Sequence, residues 1–261
     1  MKNLILVFVS LGLLSGCGKI IKKVIENDPE IVFSAIKKDP EGFFNTIEST
    51  QEQMREIAQK KALAKSSDEM ESAFKNPVNP EVAAGRAVWG NKDAPITIVE
   101  YADFSCGYCA DAAKTITKVK EAYGDKVRVL FKHFHVLGNP NSVYASQLME
   151  GIGKIDVNKA YQFHNIVFEN QGKLRDDKAK SFLESEVSKL VGAGKLAQVI
   201  KTASSDEVKK MIDSDKEEAG GKFQLRGTPA FNINGVTLRG AEPFDKIKLI
   251  IDRHLENKAQ N

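Results

Sequence analysis

Residues 96–109 read Ile96-Thr97-Ile98-Val99-Glu100-Tyr101-Ala102-Asp103-Phe104-Ser105-Cys106-Gly107-Tyr108-Cys109. From Ile96 to Ala102 the residues are β-branched, aromatic or apolar apart from Glu100, the composition of a strand buried on both faces. A helix is predicted to begin at the cysteines and run from Cys109 to Tyr123, and a second apolar strand from Val127 to Phe134. The crossover is long enough for the two strands to pair in parallel. The C-x-x-C pair therefore falls where a strand turns into a helix.

Working toward the C-terminus, residues 138–225 carry apolar residues at helical spacing, as in Ala160 to Phe168 and Phe182 to Val191. Strands at Ala230 to Ile233 and Val236 to Arg239 then flank Asn234-Gly235, a strong hairpin signal, and a last helix is predicted from Pro243 to Leu255. The order is βαβ, a helical insert, then ββα. This is an α/β domain of residues 86–257, with its insert at about 138–225.

Working toward the N-terminus, residues 17–64 read as a helical appendage, with Ile20, Ile21, Val24, Ile25, Phe33, Ile36, Phe44 and Ile47 at helical spacing. Asp28-Pro29-Glu30 recurs as Asp39-Pro40-Glu41. Each copy reads as a helix start, with Asp as N-cap, Pro at the first position and Glu in the first turn. Short amphipathic helices cannot bury their apolar faces alone, so these need either the main domain or a second copy; self-association into a homodimer is the favoured reading. The polar stretch at 65–85 is expected to be a linker.

Residues 1–16 read as a signal peptide. Lys2 precedes an apolar run from Leu4 to Leu14 that is shorter than the roughly 20 residues a membrane span needs. Leu14-Ser15-Gly16-Cys17 resembles a lipoprotein cleavage site, which makes Cys17 the expected lipidation site and membrane anchor. Three cysteines leave an odd thiol in an oxidising compartment; lipidation of Cys17 leaves only Cys106 and Cys109. Their loop is too short to serve as a scaffold staple, so the pair is there for chemistry. The net charge of +3 includes Lys2 and suggests no nucleic-acid partner.

A thiol at a helix N-terminus meets free N–H groups and the helix dipole, which favour its thiolate. Cys106 is thus the attacking sulfur, and Cys109, one turn in, is the resolving one. The four histidines offer no pair spaced to complete a zinc site with the cysteines, so no metal or other cofactor is expected beyond the redox-active cysteine pair. Glu100 would be expensive to bury without a purpose. A raised pKa near Cys109 would let it take and return that thiol's proton, with Lys132 on the neighbouring strand as a possible charge partner.

Gly227-Thr228-Pro229 precedes a strand. Together with the C-x-x-C after a strand, the acid six residues before it and the C-terminal ββα, this resembles the thioredoxin superfamily. From about Val88 to Leu255, insert included, the chain is similar to DsbA-like thiol-disulfide oxidoreductases. The lipobox and N-terminal helices look like a self-associating, envelope-anchored branch of them.

The resemblance implies a thioredoxin-like fold and a cis Thr228–Pro229 bond facing the cysteines. It also implies a peptide groove bordered by Thr228, Pro229, Gly107 and Tyr108. The substrates it implies are unfolded or misfolded exported proteins, with a membrane redox partner of DsbB or DsbD type. The location is the bacterial envelope, facing the periplasm, with Gly18 after the lipidated cysteine pointing to the outer membrane. Where the archetypal oxidase has Pro-His between its cysteines, this chain has Gly107-Tyr108, which together with Thr228 is similar to the isomerase DsbC. Oxidation and isomerisation both remain open, and the competing reading is a membrane-tethered chaperone that binds peptides without redox turnover.

Overall fold

A computed structural model describes residues 26–83 and 85–259. The expected signal peptide, the Cys17 lipidation site and the apolar residues from Ile20 to Ile25 lie outside them. The chain divides after Ser67 into two units.

The first unit contains helix α1 (Glu30–Lys38) and most of α2 (Pro40–Lys75). The second Asp-Pro-Glu copy caps as predicted: Asp39 Oδ1 accepts from Gly42 N at 2.9 Å. The first copy starts its helix at Glu30 with no side-chain cap. No residue of α1 is buried, and Phe33, Phe44, Met54 and Ile57 are all exposed in the single chain.

Residues 65–75, expected in a linker, continue α2 instead. Their run of Lys, Ser, Asp, Glu, Met, Ala and Phe contains neither Gly nor Pro, and Met70, Ala73 and Phe74, at helical spacing, pack against the core, so the stretch is a helix rather than a loop. Residues 76–83 are no free tether either. Asn232 Nδ2 donates to Val78 O at 3.0 Å, Lys222 Nζ to Asn79 O at 2.7 Å, and Glu81 N to Glu218 Oε1 at 2.7 Å. The segment is a strap within the second unit, fastened to Asn232, Glu218 and Lys222.

The second unit is built on a five-stranded sheet. Its strands are β1 (Val88–Trp89), β2 (Ile96–Ala102), β3 (Val127–His133), β4 (Ala230–Ile233) and β5 (Val236–Arg239), ordered β1-β3-β2-β4-β5. β2 and β3 are parallel, and all other pairs are antiparallel. The predicted βαβ and ββα units are both present, and β1, too short for a periodic signal, adds an edge. The hairpin turns through Asn234 and Gly235, both at positive φ. Only glycine fits at 235, since a Cβ there would collide with Pro77.

Helix α3 (Gly107–Tyr123) joins β2 to β3. The insert comprises α4 (Pro140–Gly153), α5 (Val157–Glu169), α6 (Ala179–Val191), α7 (Leu196–Ala203) and α8 (Asp206–Glu217); a π-turn at Glu218–Lys222 follows, and α9 (Phe244–Ala259) ends the chain. Alternation divides the sheet's side chains between two faces. Ile96, Ile98, Ala102, Val129, Phe131, Phe231 and Ile233 pack with α3, the insert and α9. Val99, Tyr101 and Leu130 pack on the other face with Ala219 and Phe223 of the π-turn region.

Candidate active site

The turn from β2 into α3 delivers the cysteines. Asp103 Oδ1 accepts from Ser105 N at 2.9 Å and Ser105 Oγ at 2.6 Å, an Asx turn, while its carbonyl accepts from Cys106 N at 2.9 Å. Cys106 becomes the N-cap of α3 with extended backbone. Cys109 lies one turn in, fully buried in the core that includes Ala112, Ala113 and Ile116. Gly107 and Tyr108, between them, are exposed to solvent, Tyr108 at 72%.

Both cysteines are free thiols. The Cys106 thiol donates to Thr228 O at 3.4 Å, and the Thr228–Pro229 bond beside it is cis, as the resemblance implies. Thr228 Oγ1 is buried without a well-aligned partner, so its hydroxyl can turn toward a charged sulfur.

The two thiols are driven apart. Cys106 is held down at about 5, chiefly by the hydrogen bond from the Cys109 thiol; burial opposes this, while Thr228 and the backbone N–H groups of Cys109 and Tyr108 add to it. Cys109 is pushed far up, first by burial and then by the same hydrogen bond. At neutral pH one sulfur is a partly accessible thiolate and the other a buried thiol.

Two neighbours not foreseen from sequence build this turn. Asp103 is fully buried, and its Oδ2 accepts from Val136 N and Leu137 N at 3.1 and 3.2 Å, tying the loop after β3 to the cysteine turn. Gln171, from a 3₁₀ turn in the insert, donates to the carbonyls of Phe104 and Cys106. An acidic residue three before a helix-starting cysteine is a readable turn signal; Gln171 has none.

The thioredoxin family model matches residues 83–253. This chain belongs to the thioredoxin family. Among relatives, a probable disulfide bond formation protein D from Bacillus cereus is 29% identical over 176 residues, covering 64% of this chain and 77% of that one. Among solved structures, oxidised BdbD from Bacillus subtilis superposes with a TM-score of 0.58 at 22% identity, covering 69% of this chain and 97% of its own. ScsC from Proteus mirabilis in a transitional conformation covers 86% of this chain and 99% of its own, with a TM-score of 0.56 at 22% identity.

Within this thioredoxin fold, Glu100 sits at the centre of the sheet, registered between Phe131 on β3 and Phe231 on β4. It is 1% exposed, its Oε1 has no partner, and burial raises its pKa to about 8. By alternation it shares the face of Ile98 and Ala102, the face on which Cys109 packs.

Lys132 is not its partner. The register sets Lys132 beside Tyr101, on the opposite face. There Lys132 Nζ pairs with Glu218 and, at 3.7 Å, with Asp215. Arg86, just after the strap, completes this buried group, bridging Asp215 at 2.9 Å and Glu150 at 3.4 Å. Glu150 in turn meets His133 Nε2 at 2.8 Å. These charges fasten the chain before β1, the insert and β3 together. Among the described residues, no group of three or more His, Cys, Asp or Glu is placed to hold a metal ion.

Proposed function

We propose that this chain is a DsbA-like thiol-disulfide oxidoreductase that exchanges disulfides with exported proteins through Cys106 and Cys109. The observation that carries the reading is the opposed pair: a stabilised Cys106 sulfur at a helix N-terminus against Thr228, and a buried, protonated Cys109 beneath it. The name of the Bacillus cereus relative agrees with it.

In the oxidising direction, a substrate thiolate attacks Cys106 Sγ of the enzyme disulfide, and the S–S electron pair leaves on Cys109. Glu100, neutral below about pH 8, returns a proton to that buried sulfur. A second substrate thiolate then attacks its own sulfur in the mixed disulfide. Cys106 leaves as a thiolate, two electrons having passed from substrate to enzyme. In the reverse direction Cys106 attacks a substrate disulfide and releases one substrate thiolate. Glu100, in its ionised form, takes the Cys109 proton, and Cys109 then attacks Cys106 Sγ, closing the enzyme disulfide and releasing the second substrate thiolate. The cis-proline loop, with Gly107 and Tyr108, borders the peptide; Thr228 and Pro229 also line, with Arg226 and Arg239, a cleft of about 250 Å³ that extends away from the cysteine turn's own residues.

The chain works at the bacterial envelope, lipid-anchored through Cys17 in the outer membrane, facing the periplasm, with a DsbB- or DsbD-type membrane protein resetting its pair. The apolar run before Leu14-Ser15-Gly16-Cys17 supports this. It self-associates as a dimer through its first unit, whose Phe33, Phe44 and Ile57 are exposed in the single chain; paired sites favour isomerisation. Deleting residues 19–64 is expected to convert a dimer into a monomer in solution, and an oligomeric state unchanged by the deletion refutes dimerisation through this unit. For the exchange itself, wild type is expected to catalyse oxidation of a reduced, unfolded protein in glutathione buffer. A Cys106→Ala variant that does so equally well sinks the assignment.

A further inference from the structure

Gln171 begins the 3₁₀ turn Gln171–Arg175, 65 positions beyond Cys106, and its Nε2 donates to Phe104 O at 2.7 Å and Cys106 O at 2.8 Å. Carbonyl oxygens only accept, so the nitrogen end of the amide must face them, and both its hydrogens are committed. Phe104 is fully buried and Cys106 8% exposed, so these carbonyls lie where little water reaches. The Cys106 carbonyl already accepts from Cys109 N at 3.0 Å; it is the negative end of a dipole on the attacking residue itself. A donor on that oxygen draws its charge away from the neighbouring sulfur, and in a dry site such an effect is stronger than in water.

We infer that Gln171 is a positioning residue for the Cys106 thiolate, clamping the first turn of α3 from the helical insert and offsetting the carbonyl charge beside the sulfur. The inference rests on Cys106 being the exchanging sulfur. It gives the insert a part in the chemistry: a contact 65 residues away in sequence sets how much thiolate the enzyme holds. Losing the clamp destabilises the thiolate, hence the reduced form, and makes the pair a weaker oxidant.

The test compares wild type with Gln171→Glu, which sets an acceptor-only group against two carbonyls, and with Gln171→Met, which keeps the length and removes both donors. Three quantities are read on full-length protein: the pH profile of Cys106 alkylation, the equilibrium with glutathione, and thermal unfolding. The Glu variant is expected to raise the Cys106 pKa by about one and to shift the glutathione equilibrium roughly tenfold toward the enzyme disulfide. The Met variant shifts both in the same direction by less, and decides alone should the Glu variant not fold.

Folded variants with wild-type pKa and wild-type glutathione equilibrium overturn the inference while leaving the exchange reading intact. A wild-type pair that does not equilibrate with glutathione overturns both.

Discussion

The sulfur of Cys106 lies 3.4 Å from the carbonyl oxygen of Thr228, 122 positions later in the chain. β2 and β4 are neighbours in the sheet, so the turn leaving β2 and the loop entering β4 meet at one end of it. The attacking sulfur is thus presented by one turn and faced by another. On the proposed function, the Thr228–Pro229 loop borders a peptide reacting at Cys106.

Alkylation by iodoacetamide should distinguish the sulfurs. With Cys106 at about pH 5, its reaction rate is expected to rise with a midpoint near that pH and to be flat through neutrality. Cys109, buried and held protonated, should not react in the folded protein. The same depression has a stability consequence: the reduced form gains over a Cys106→Ala variant as pH rises from about 5 toward the ordinary thiol value of 9.0, and the gain disappears below 5.

The pair's potential follows from the same group. Thioredoxin's thiol titrates near about 7 and DsbA's near about 3.5, with potentials of about −270 and −120 mV. A value of about 5 for Cys106 places this pair between them. Equilibration with glutathione should therefore give a potential above thioredoxin's and below DsbA's. A value at or below thioredoxin's contradicts the thiolate stabilisation described.

Glu100 gives a pH signature of opposite sign. Its folded pKa of about 8 lies above the ordinary 4.5, so its contribution is fully present below 4.5 and is lost as pH rises to about 8. By pH 7 the loss is on the order of 3 kcal/mol. Unfolding free energies of Glu100→Gln and wild type should diverge across this window in favour of the variant, while the variant's exchange rate falls. Parallel stability profiles refute a buried, titrating carboxyl.

Arg86 holds buried carboxylates on either side. Burial pushes Glu150 up, yet Arg86 and then His133 keep its carboxyl below the usual range. Removing one partner of a buried ion pair strands the other, so Arg86→Met should cost about 3–5 kcal/mol in denaturant unfolding. A second change, Asp215→Leu, should recover part of that loss, because it removes one of the stranded charges.

Much of this was legible because it is local. Strand composition, the Asn234-Gly235 turn and the cysteine spacing each sit in a few adjacent residues, and they placed β2 to β5, α3 and the sulfurs. The partner of Lys132 is not legible, because a side chain's face depends on strand register, and one residue of parity sets it beside Tyr101 rather than Glu100. Residues 65–75 pass for a linker because a mostly polar composition suits a loop as well as a helix that packs only Met70, Ala73 and Phe74 against the core. Gln171 left no trace, since a contact from a distant turn to two backbone carbonyls imposes no pattern on its neighbours.

The most direct test is to trap the intermediate. Cys109→Ala, incubated with an unfolded substrate protein carrying disulfides, should accumulate a reducible covalent complex through Cys106; wild type should resolve it, and Cys106→Ala should form none. A complex formed equally well by Cys106→Ala, or none formed by Cys109→Ala, would contradict the assignment of Cys106 as the exchanging sulfur.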